Sequence, residues 1–95
     1  MLFVATHVHT PELCPSNNPE LVKKTVSVVA SKAHAEKSGV KVLGSYIAPE
    51  EHVLFFIIES SDYAKIVDFF RPIMKMGTLK LTPVSTLESA VPKFE

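Results

Sequence analysis

The sequence predicts an α+β fold, with four strands and two helices in the order βαββαβ and one antiparallel sheet of strand order 4-1-3-2. Three observations predict it. Short apolar, β-branched runs alternate with stretches that carry helix signals at both ends. Strands one and three are the most continuously apolar, as the central strands of such a sheet must be. Strand four contains Pro83, which has no N–H for a ladder and therefore belongs at an edge. The order is that of the ferredoxin-like pattern.

Strand one is "MLFVATHVH", apolar and β-branched. "TPELCPSN" is a loop, punctuated by Pro11 and Pro15. "NPELVKKTVSVVASKAHAEKSG" is one helix from Asn18 to Gly39. Asn18 is a good N-cap, Pro19 suits the first helical position, Glu20 favours the dipole and Gly39 is a stop. Leu21, Val22, Thr25, Val26, Val29 and Ala33 fall on one side and form its buried stripe.

"VKVLGSYIA" is strand two and "HVLFFIIES" strand three, joined at the hairpin-length "PEE". "SSDYAKIVDFFRPIMKMG" is the second helix, capped by Ser61, with Tyr63, Ile66, Val67, Phe70, Ile73 and Met74 on its apolar face. Pro72 removes a helical hydrogen bond, so a kink or break is expected near Phe69–Arg71. "TLKLTPVSTL" is strand four. At 95 residues the chain fits one domain, residues 1–95, in which 86–95 form a C-terminal tail or short helix.

Composition narrows the function classes. Ten basic residues balance ten acidic ones and the lysines are scattered, so there is no basic field for nucleic acid or an anionic membrane. The longest apolar run, "VLFFII", is too short to span a bilayer, and the start lacks the charged and apolar regions of a signal peptide. With one cysteine no intrachain disulfide can form, and a cytoplasmic location is expected. The helices cover only one sheet face. In strand three His52, Leu54, Phe56 and Ile58 point one way and Val53, Phe55, Ile57 and Glu59 the other, both sets largely apolar. The second face needs a cover, which predicts a homodimer packed sheet to sheet.

Candidate chemistry gathers where strand one ends. His7 and His9 are two apart on a strand and share a face with Phe3 and Ala5. The topology brings Cys14, Tyr46, His52, Met74 and Met76 to the same end. Two imidazoles at this spacing suit Zn, Cu, Ni or Fe. Glu12 would make the set two histidines and a carboxylate, as in non-haem iron sites; Cys14 with His52 would make a softer site for Zn or Cu. The bland alternatives are that the histidines are hydrogen-bonded pocket or interface residues and Cys14 a structural thiol. Phe3, Tyr46, Leu54, Phe56 and Met76 are the expected pocket lining. His34, beyond the edge of the first helix's apolar stripe, is expected in solvent.

The segments "MLFVATHVHTPELCP", "GVKVLGSYIAPEEH", "FFIIESSDY" and "FRPIMKMGTLKLTPVSTLE" together resemble the small prokaryotic family called domain of unknown function 3303, over nearly the whole chain. The more specific parts are the start "THVHTPELCP" and the turn "RPIMKMG". The resemblance implies a relation to GYD-type proteins and a dimeric α/β barrel, a group that includes haem-degrading monooxygenases and small isomerases. The GYD sequence itself is absent, and "GSYIAPEEH" stands in its place. Three functions follow as expectations. The first is a small metal-binding or metal-dependent protein, with His7 and His9 as ligands and His52, Cys14 and Glu12 completing the set. The second is a metal-free dimeric-barrel enzyme of monooxygenase or isomerase type, with a histidine base in an apolar pocket that takes a small-molecule ligand. The third is a binding or assembly module without chemistry.

Overall fold

The computed structural model describes residues 1–10 and 18–91. Strand β1 (Leu2–His9) is followed by helices α1 (Pro19–Val29) and α2 (Lys32–Ser38), strand β2 (Lys41–Ala48) and strand β3 (Val53–Glu59). Helix α3 (Tyr63–Phe70), strand β4 (Gly77–Val84) and the short helix α4 (Leu87–Ala90) complete the order. Short 3-10 turns at Pro49–Glu51 and Arg71–Met76 lead into β3 and β4.

The four strands form one sheet in the order β2-β3-β1-β4, all neighbours antiparallel. This is an open sheet. β2 pairs only with β3, and β4 only with β1, so neither outer strand joins the other. The barrel expected from the resemblance is thereby corrected: four strands leave two free edges, and a sheet this narrow does not close on itself. Function readings that depended on a barrel, the monooxygenase or isomerase type among them, lose their structural basis.

Strand alternation positions the core. Along β1, Phe3, Ala5, His7 and His9 are buried while Leu2, Val4, Thr6 and Val8 are less so. Phe3 lies opposite Ile58 and Ala5 opposite Phe56, so these residues share a face. That face meets the helices through Ile66, Phe69, Phe70 and Ile73, all fully buried. Phe70 packs against Phe56 with ring centroids 5.2 Å apart and edge-on against Phe69 at 4.9 Å. Among the described residues the opposite sheet face has no helix packed on it: Val8 is 44% exposed and Tyr46 63%.

Helix details depart from the sequence reading. The single helix expected over 18–39 is two. Ser31 sits in extended backbone, and its hydroxyl oxygen accepts the N–H of His34, which caps α2 and ends α1. Asn18 caps α1 through Glu20 N–H, and Gly39 closes α2 in the left-handed conformation. The buried side of α1 is carried by Thr25 and Val28, whereas Val22 and Val26 stay exposed. Asp62, not Ser61, caps α3, accepting Ala64 N–H at 2.9 Å. After Phe70 the backbone tightens to a 3-10 turn around Pro72. Three residues per turn then carry Met76 inward into the core, away from the pocket position expected for it. His34 is not in solvent. Its ring stacks on Phe69 at 5.0 Å, and its Nε2–H donates to the Phe69 carbonyl at 2.8 Å.

No helix among the described residues is long and apolar enough to cross a membrane.

Candidate functional site

Three of the four histidines meet at the end of β1. The His7 and His9 rings are 6.0 Å apart, and the His9 and His52 rings 5.5 Å apart at 73° to each other. β1 supplies the first two from one face. His52 arrives by a different device. The 3-10 turn Pro49–Glu51 ends on it, and it adopts φ 57°, the single positive φ outside glycine among the described residues. A left-handed histidine costs about 1–2 kcal/mol relative to ordinary backbone. The cost is offset in part by backbone bonds: His52 N–H donates to the Pro49 carbonyl, and His9 N–H to the His52 carbonyl at 3.1 Å.

The three rings have different surroundings. His7 is buried, and its Nε2–H donates to the Ile73 carbonyl at 3.1 Å, which fixes the neutral tautomer with a lone pair on Nδ1. Nδ1 of His7, His9 and His52 are all buried without a hydrogen-bond partner among the described residues. His9 is held below the ordinary imidazole range, first by burial and then by the neighbouring His7 and His52 rings.

These rings are not a metal centre. Among the described residues no group of three His, Cys, Asp or Glu side chains is arranged to hold a metal ion. The expected Zn, Cu, Ni or Fe ligation by His7, His9 and His52 is therefore corrected. His7 spends its Nε2 on the Ile73 carbonyl. Glu12 and Cys14, the other expected ligands, lie outside the described residues.

A cavity of about 400 Å³ opens beside His9 and His52. Helix α1 roofs it with Val22, Thr25, Val26 and Val29. The edge strand β2 contributes Ser45, Tyr46 and Ile47, and Pro49 adds to that side. Leu54 and Phe56 of β3 complete the wall. Of its polar groups, the Thr25 hydroxyl is already engaged, donating to the Leu21 carbonyl at 2.8 Å. Ser45 and the two imidazoles supply further polar side-chain atoms, while Tyr46, opposite Phe55, directs its ring to the other sheet face.

The pocket residues named from sequence are divided by the fold. Tyr46, Leu54 and Phe56 border the cavity together with His9 and His52. Phe3 lies in the core towards the other end of β1, edge-on to Tyr63 at 6.4 Å. Met76 is core, its sulfur near the Thr25 hydroxyl. His7 stands next to His9 but away from the cavity. Val22, Val26, Val29 and Ile47 were missing from the expected lining. Their signal was present in the sequence: an apolar helix stripe wider than a thin core can bury, and an apolar edge strand.

No curated protein was found to match the chain. A family model does match, over residues 1–95, under the description "Domain of unknown function (DUF3303)". The chain belongs to this family.

Proposed function

We propose that the cavity between α1 and the β2–β3 edge binds a small, largely apolar molecule, anchored at one end by His9 and His52. The observation that supports this reading is the cavity itself. At about 400 Å³ it falls within the roughly 300–1,000 Å³ span of ligand clefts, and it has the expected build of an apolar wall with few polar groups. Two further features agree. His9, in the wall, is only 6% exposed and has an unpartnered nitrogen. His52, beside it, sits in a conformation that costs energy and is maintained at this one place.

Methyl-labelled protein titrated with a panel of small apolar compounds tests the reading. Shifts confined to Val22, Val26, Ile47 and Leu54 are expected, and Val26→Trp should abolish them by filling the cleft. Shifts scattered over the surface, or unaffected by Val26→Trp, reject it.

A second copy of the chain is proposed to cover the open sheet face. The support is that face's composition: Val4, Val8, Phe55 and Ile57 lie on it, with no helix over them among the described residues. Sedimentation velocity should give a dimer for the wild type and a monomer for Val8→Glu. A wild type that stays monomeric at high concentration overturns this.

A further inference from the structure

The chemical class of the ligand can be taken further, resting on the reading of the cavity as its site. We propose that it is an uncharged hydroxyl compound, its apolar body under α1 and its hydroxyl shared between His9 and His52.

Charge is excluded first. Among the described residues the cavity walls contain no Asp, Glu, Lys or Arg. A carboxylate, phosphate or ammonium would be desolvated there without a counter-ion, and such burial is strongly unfavourable. The apolar body follows from the walls, where Val22, Val26, Val29, Ile47, Leu54 and Phe56 are joined by Pro49.

The polar group follows from the imidazoles. The Thr25 hydroxyl proton is already committed to the Leu21 carbonyl, so this group can only accept. His9 and His52 each retain a buried Nδ1 with no partner among the described residues. A half-turn about χ2 leaves the ring outline unchanged and exchanges Nδ1 with a carbon, so each ring can present that nitrogen to the cavity. With one proton on each ring, the pair offers both a donor and an acceptor. Burial of His9 and its two imidazole neighbours opposes a second proton there. A carbonyl or ether can only accept, so it engages both rings only when both turn a proton towards it. A hydroxyl donates to one and accepts from the other. The 5.5 Å between ring centres suits one oxygen lying about 2.8 Å from a nitrogen on each side.

The test compares four probes that share one apolar body: para-propylphenol, its methyl ether para-propylanisole, para-propylbenzoate and para-propylbenzylamine. Calorimetric titration at neutral pH is read beside the Val26 and Ile47 methyl shifts. The phenol should bind about tenfold or more tightly than the ether, because the ether leaves a buried acceptor unpaired. The benzoate and the amine should bind more weakly than either. His52→Asn keeps a residue that tolerates the left-handed backbone, and should cut the phenol's advantage over the ether to about threefold or less. Equal binding of phenol and ether, with shifts at Val26 and Ile47, would overturn the hydroxyl assignment and leave the cavity as a ligand site. Tightest binding by the benzoate or the amine would overturn it too. If none of the four moves those methyls, the ligand-site reading itself fails.

Discussion

The His9 imidazole stands edge-on to that of His52, ring centres 5.5 Å apart, and the two backbones are tied by the bond from His9 N–H to the His52 carbonyl. One ring comes from the end of a strand and the other from a left-handed residue that starts the next. Their pairing brings a proton acceptor to the edge of an apolar cleft, and it also makes that end of the sheet sensitive to acid.

The pH dependence has a definite sign. His9 in the folded chain is shifted below its unfolded value of 6.5 by burial, His7 and His52. Between the two values the unfolded chain holds more protons, so stability rises with pH there. The contribution is fully present above about pH 6.5 and is lost as pH falls through the lowered folded value. Thermal melts from pH 8 to 5 should show a falling midpoint on the acid side, and His9→Gln should flatten that slope. An unchanged slope in His9→Gln would place the acid sensitivity elsewhere.

His7 has a structural duty. Its Nε2–H satisfies the Ile73 carbonyl inside the core. His7→Leu should cost about 1–3 kcal/mol in urea denaturation, because the carbonyl is left buried and unpaired. His7→Gln retains a donor and should cost less. Equal losses would mean that ring packing, not the hydrogen bond, carries the effect.

The cap of α3 distinguishes two neighbours. Asp62 accepts Ala64 N–H, so Asp62→Ala should lose about 1 kcal/mol. Ser61→Ala, at an exposed position outside the cap, should stay within about 0.5 kcal/mol. Chemical denaturation of the two variants side by side measures the contrast.

Gly77 begins β4 opposite His9, and a Cβ there would collide with the Val8 carbonyl oxygen. The obstacle is backbone, which cannot swing aside. Gly77→Ala should destabilise by about 1–3 kcal/mol, the usual range for overpacking, and amide exchange should quicken along the β1–β4 ladder. Normal stability would mean that β4 shifts freely at its first residue.

Much of this was legible in the sequence, because the signals were local. Alternation with a period of two put His7 and His9 on one face with Phe3 and Ala5. Pro83 marked the edge strand, and continuous apolar runs marked the central ones. Pro72 announced the end of α3. The misreadings concern competition between neighbours and distances between elements. Ser31 sits within an apparently continuous helical pattern, and only its bond to His34 N–H makes it a boundary. His34 looked polar and surplus until Phe69 was brought beneath it.

By itself, then, the sequence determined the four strands, the faces of the central ones and the order of the sheet, since these depend on periodicity and on which residues lack an N–H. The tertiary structure decided the use of the histidine-rich end. The packing of α1 on the sheet leaves Val22 and Val26 over a cavity instead of in the core. Among the described residues no metal-holding cluster forms, and His7 instead gives its Nε2–H to the Ile73 carbonyl. Pattern encodes which way a side chain points; how far it stands from the next element is settled only when the elements pack.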